Sequence, residues 1–363
     1  MTYRKLIWAC LLAMALPIAQ ADAQFQDPRV LGGTLIRDLQ PIYPNQEEAA
    51  PSTVKVAQSG FIFLNFPTDA RRAALGDAGT GLLGDGPGAI FMNPGLLGFA
   101  QSREVFLTHA EWIADTKHTV AGVVMQFEGI PGSIGVGFIT HDSGAINGTS
   151  INGDPTSQGF RETGPISTTD YALSAGWGFQ ITDRFSVGGM LRYAHQGLPL
   201  PGGQDLDLSA VSVDLGTYFN TGFRNTVLAM SIRNFSEEKE FQRERFELPR
   251  DYRLGVVIDA ISMYGRTPVP HHFDVVVEID SPIDFDERWL FGTEYRYKRP
   301  DQSLGFALRG GYKVGHDTED YSVGGGISFA NEEGRGFRVD YAYKHFLSEF
   351  FSAVQMFTVA VTF

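Results

Sequence analysis

Eight histidines are the residues with which this 363-residue chain could hold a metal or move a proton, and their spacing argues against both. His271 and His272 are adjacent at the start of an alternating segment, so their side chains point to opposite faces and cannot share one ion. His109, His118, His141, His195, His316 and His345 are scattered. No Gly-x-Ser-x-Gly elbow is present to expose a nucleophile. A hydrolase carrying serine and histidine on strands is the remaining enzymatic alternative. The turn Gly84-Asp85-Gly86-Pro87-Gly88 has the glycines of a phosphate loop but lacks the lysine that must follow and the flanking pattern. The expectation is a protein without catalytic residues, bound metal or cofactor.

What is left is charge. Arg192, Asp214, Arg233, Arg253, Asp259, Asp274, Glu278, Glu294, Arg296, Arg309, Lys313, Arg338, Asp340 and Lys344 fall at alternate positions of otherwise apolar segments. The period is two. Tyr171, Leu173, Ala175, Trp177, Phe179 and Ile181 share one face, opposite Asp170, Ser174, Gly176, Gly178 and Gln180. Trp289–Lys298, Leu304–Lys313 and Phe337–Lys344 repeat the pattern, which belongs to strands. Fourteen such segments are predicted, at 103–113, 117–128, 132–142, 168–181, 184–196, 207–219, 223–235, 250–262, 271–280, 287–299, 303–315, 320–330, 335–346 and 353–363. Most are long enough to cross a tilted bilayer path.

After residue 23 there is no apolar run of helical membrane-spanning length, so a membrane location requires a closed barrel. The fold class expected is all-β: a transmembrane antiparallel β-barrel of about 14 strands. A lysine or arginine facing lipid near the midplane costs about 2–4 kcal/mol, so the charged face must line the lumen, as a salt-bridged interior or as a substrate relay. Trp112, Trp177, Trp289, Tyr295, Tyr297, Tyr341 and Tyr343 are expected to form interfacial girdles. Connections that follow odd strands are long at 143–167, 197–206 and 236–249. Those that follow even strands are mostly short, the exception lying near 262–270. Long loops outside and short turns inside is the asymmetry of outer-membrane barrels. A soluble sandwich with one wet face is the alternative.

Residues 1–23 read as a signal peptide. Arg4 and Lys5 precede the apolar run Leu6–Ile18, and Ala19-Gln20-Ala21 and Ala21-Asp22-Ala23 are cleavage-type patterns. The lone cysteine, Cys10, lies inside that run. The formal charge is −13, and −14 once Arg4, Lys5 and Asp22 are removed, which excludes a general nucleic-acid binder. Residues 24–58 are polar and dotted with proline, and read as an extended periplasmic segment or a docking strip. The last strand ends on Phe363, with Phe357, Val359 and Val361 on the same face.

Residues 59–102 differ from both neighbours. Thr68 or Asp69 caps a short helix that Gly76 ends, and Asn93-Pro94 opens a second. So little helix with so much glycine cannot bury itself, and a bore of this width needs filling, so this segment is expected to be a hatch inside the 103–363 barrel. Gly60, Phe61, Leu64, Asp69-Ala70-Arg71, Ala74-Leu75-Gly76, Ala78, Asn93-Pro94 and Leu96 resemble the amino-terminal region of the PorV/PorQ family of outer-membrane barrels, relatives of the FadL fatty-acid transporters. Gly95 stands where that family usually has alanine. The resemblance implies an outer-membrane barrel with both termini periplasmic, acting in type IX protein secretion by binding the translocon and the carboxy-terminal signal domains of secreted cargo. It equally admits a FadL-like transporter of hydrophobic small molecules. Leu198, Leu200, Phe346, Leu347, Phe350 and Phe351 are the candidate extracellular partner contacts, and outer-membrane lipid is the expected surround.

Overall fold

A computed structural model describes residues 59–84, 86–100, 103–151, 159–199, 205–241, 244–261, 270–301, 303–331, 333–347 and 351–363. The segments expected at 1–23 and 24–58 lie outside the described residues, as do Leu200 and Phe350.

Alternation becomes strand throughout. The barrel strands are β1 (Glu104–Glu111), β2 (Lys117–Met125), β3 (Ser133–Asp142), β4 (Thr169–Thr182), β5 (Phe185–Pro199), β6 (Asp205–Asn220) and β7 (Thr226–Ser236). They continue as β8 (Asp251–Asp259), β9 (His271–Pro282), β10 (Arg288–Lys298), β11 (Leu304–Val314), β12 (Glu319–Ala330), β13 (Gly336–Phe346) and β14 (Val354–Thr362). Each pairs antiparallel with its sequence neighbour, and β14 returns to β1 with Glu104 opposite Thr362 and Glu111 opposite Gln355. The sheet is a closed barrel, so no strand edge is left unpaired in the wall. Every one of the fourteen expected segments corresponds to one strand.

The two faces separate as a period of two requires. Leu107, Leu173, Leu191, Leu215, Leu308 and Val359 are exposed outward, whereas Arg192, Asp214, Arg253, Glu278, Glu294, Arg309 and Lys344 are buried inward. No helix among the described residues is long and apolar enough to cross a membrane; the strands are the elements of that length. Trp177 and Trp289 lie on the outer face, and the Trp177 indole N–H donates to the Pro131 carbonyl at 2.8 Å. Trp112 does not join them. It directly follows β1, continues the inward phase and is only 8% exposed.

The two ends differ. Connections 112–116, 143–168, 237–250 and 347–353 lie at one, hereafter the long-loop end. Two hairpins project there, Ile146–Ile151 with Phe160–Ile166 and Lys239–Phe241 with Glu244–Phe246. Turns 183–184, 221–225 and 331–335 lie at the other, short-turn end. The long connection 260–270 belongs to the short-turn end and lies partly outside the described residues, so the asymmetry keeps its exception.

The hatch threads the lumen from one end to the other. Gly60 N–H donates to the Glu247 carbonyl at the long-loop end, 3.1 Å away, whereas β14 finishes at the short-turn end, so the described chain starts and stops at opposite ends and not both on the side expected to be periplasmic. Asp69 caps the single helical turn Ala70–Ala73, its side chain accepting from Arg72 N–H. Gly76 then takes a φ of +68° that reverses the chain without strain. Asn93 caps the turn Pro94–Phe99, its Oδ1 accepting from Gly95 N–H, with proline at the first position. This second element is a 3₁₀ helix rather than an α-helix: six residues with glycine at two places hold too little side-chain contact for a wider helix. The chain then leaves as β1 at the short-turn end.

Candidate functional site

The hatch meets two different walls. On β8–β13 the contacts are mainly ionic, with Val257, Val276 and Leu290 adding apolar ones to Leu75, Ala78 and Leu82. Arg71 grips Glu294 bidentately, at 2.9 and 2.6 Å. Glu294 also accepts from Arg309 at 2.7 Å, and Arg309 donates to Asp340 at 2.8 Å. Asp77 in the hatch faces Lys313 and Lys344, the latter at 2.7 Å, and both ammonium groups share Glu319. Glu278 accepts from Gly79 N–H, Thr80 N–H and the Thr80 hydroxyl at 3.0, 3.0 and 2.8 Å, and from Arg253 at 3.2 Å. Buried pairs of this kind add little over apolar packing, but removing one partner strands a charge. Their effect is to hold residues 69–80 in one place.

On β2–β7 the contacts are mostly apolar. Ile90, Phe91, Leu96 and Leu97 pack in one cluster with Val120, Val124, Ile139, Ala172, Met190, Tyr218 and Val227. Phe99 lies 4.8 Å from Tyr218 between ring centroids. The charges on this side are satisfied mainly within the wall: Arg192 donates to Asp214 at 2.7 Å and to Ser174 at 3.0 Å, and also meets Asn234. The lumen is therefore two-sided, with an ion-locked anchor at 69–80 and a greasy contact at 88–99.

Two wall glycines show how closely hatch and wall approach. A Cβ on Gly216 would lie 1.9 Å from Asn93 Oδ1, and one on Gly311 would lie 2.0 Å from the Gly76 nitrogen. Neither position has room for a side chain.

All the expected hatch residues are brought into this arrangement. Gly60 lies against the Phe246 ring. Phe61 is buried with φ +56°, its N–H donating to Gln196 Oε1 at 2.9 Å. Gly76 N–H donates to Ser322 Oγ at 2.9 Å. The Asn93 side-chain amide donates to the carbonyls of Thr80 (2.8 Å) and Thr217 (3.0 Å), tying hatch to hatch and hatch to wall. Pro94 and Leu96 are buried. Of the surface candidates, Leu347 and Phe351 are exposed, at 55% and 38%. Phe346 is not. It stands in the inward phase of β13, 7% exposed, edge-on to Trp112 at 6.2 Å. Of Leu198 only the backbone, in β5, is described.

Sequence reasoning missed Asp77 and Thr80 as hatch anchors. Both sit in a stretch without period, so nothing but the facing charges on β9, β11 and β13 could have pointed to them. It also missed the apolar lumen wall, because small residues such as Ala172, Ala194 and Ala210 read as neutral. Outside the wall, in the 315–318 connection, burial and the Lys313 ammonium bring the His316 imidazole down to about 4, and its Nδ1 accepts from Glu319 N–H at 3.1 Å.

No family model and no curated protein matches the sequence. Solved structures do. The chain is similar to the toluene transporter TodX of Pseudomonas putida, with a TM-score of 0.54 and 12% identity over 85% of this chain and 99% of that one. It is similar to a Pseudomonas aeruginosa FadL homologue (TM-score 0.52, 12% identity, 82% and 98% covered). It is also similar to the toluene transporter TbuX of Ralstonia pickettii (0.52, 13%, 84% and 98%). The fold is that of the FadL-type outer-membrane channels. At these identities the likeness extends to the fold and to no narrower branch of it.

Proposed function

We propose that this protein is a non-enzymatic, FadL-type outer-membrane channel for hydrophobic small molecules, set in lipid with its long-loop end outward. Residues 86–99 act as its movable gate and residues 69–80 as its fixed anchor. The two-sided lumen carries this reading. If 86–99 swings aside, the surface uncovered on β2–β6 is mostly apolar and small-residued, its Arg192–Asp214 charges already paired within the wall, a path along which an apolar solute loses little. The anchor side, held by ion pairs, stays put. The mature chain is expected to lack cysteine, so single cysteines can test the division. Leu97 lies in the gate and Ala74 in the anchor, and both are fully buried. With single cysteines at each, added hydrophobic solute should raise the rate at which Leu97→Cys reacts with a small maleimide and leave Ala74→Cys unreactive. Equal protection of the two positions in the presence of solute would overturn the gate.

A second reading is a PorV-type partner-binding component of type IX secretion. The exposure of Leu347 and Phe351 in the connection before β14 favours it, as an apolar surface at the long-loop end that a protein could cover. Affinity capture from solubilised membranes decides: recovery of a large translocon or of secreted proteins with a shared carboxy-terminal domain supports this reading, and their absence leaves the channel.

A further inference from the structure

The hatch places one aromatic ring in a slot that does not suit it. Phe66 lies against Trp112 with ring centroids 4.8 Å apart and planes at 26°. His118 and His141, cross-strand partners on β2 and β3, meet the same ring at steep angles, with centroids at 5.6 and 5.1 Å. The two imidazoles are 5.9 Å apart. Lys344 Nζ lies 5.5 Å from the Trp112 centroid, and its charge is already met by Asp77 and Glu319.

His118 is fully buried, at 0% exposure. Neither of its ring nitrogens has a hydrogen-bond partner among the described residues, nor has Nδ1 of His141. Buried polar atoms are almost always bonded, and an exception demands an explanation. A neutral imidazole offers one donor and one acceptor. Three aromatic groups here clasp a six-membered ring, and two of them present polar nitrogens that a phenyl group cannot answer. A ring of the same size carrying a hydroxyl could answer them, because a phenol both donates and accepts.

We propose that Trp112, His118 and His141 form a binding site for a monocyclic phenol, and that Phe66 occupies it as the chain's own stand-in. The site lies at the long-loop end, where a solute would arrive on the channel reading. That reading supplies only the route, and binding itself is independent of it. An emptied apolar slot of one-ring size takes up aromatic solutes readily, so Phe66→Ala should open the site.

The test is calorimetric titration of the purified full-length chain in detergent with p-cresol and with toluene, which differ only in the hydroxyl. Phe66→Ala is expected to bind p-cresol at least about tenfold more tightly than toluene. In Phe66→Ala/His118→Leu the two affinities should become equal. If the alanine variant does not fold, Phe66→Leu, which vacates part of the slot, is read in the same way. Equal affinity for both solutes in the single variant, no binding of either, or a preference that survives His118→Leu would each overturn the proposal. Failed uptake in cells with this binding intact would sink the channel reading and leave the site standing.

Discussion

At the scale of single residues, the hatch is held by a few groups whose partners lie far away in sequence. Arg71→Ala would leave Glu294 buried with Arg309 and Arg296 still beside it. The expected loss is about 3 kcal/mol, the low end for breaking a buried pair because those two arginines remain; denaturant unfolding of the detergent-solubilised protein measures it. His316 makes a pH-dependent contribution of known sign. Its folded value is about 4 against an ordinary 6.5, so between those values the unfolded chain binds the extra proton. The contribution is complete above about 6.5 and is lost as the pH falls towards about 4. His316→Gln should flatten that limb of the stability curve, and an unchanged slope would refute the assignment. The charges on the strands were legible from alternation alone. Of their hatch partners Arg71 was singled out, but Asp77 and Thr80 were not, because they belong to a stretch whose conformation is set by Gly76 and Gly79 rather than by any repeat.

At the scale of elements, strands and hatch follow different rules. A strand announces itself by which side of each residue must be greasy, and that signal survived through all of β1–β14. Where it misled, the fault lay at strand ends. Trp112 and Phe346 are large and apolar in the manner of membrane-facing residues, yet parity turns both inward, where Phe66 and Phe351 receive them. The hatch has no parity. Its position depends on the absence of side chains in the wall, which no pattern of apolar residues records. Gly216→Ala is therefore expected to push the Asn93–Gly95 turn off β6, destabilising the protein by about 1–3 kcal/mol. It should also raise the rate at which a cysteine placed at Leu97 reacts with a small maleimide. An equally substituted but lipid-facing position, Leu215→Ala, should change neither greatly.

At the scale of the whole molecule, the ionic half of the lumen sits out of reach of bulk salt. Screening weakens exposed pairs over a Debye length of about 10 Å at 0.1 M, but buried pairs much less. The thermal midpoint should hence move little between roughly 0.1 and 1 M sodium chloride, and a large fall would mean that water reaches the Asp77, Lys313 and Glu294 clusters. The overall architecture was the most legible level of all, because closure is forced once fourteen two-faced strands must satisfy their backbones in lipid.

The seam at which the ring shuts joins the stretch just behind the hatch to the final strand of the barrel, Glu104 against Thr362. Clasp and stopper therefore share one length of chain, and fraying at that join loosens the route by which residues 60–100 leave the lumen.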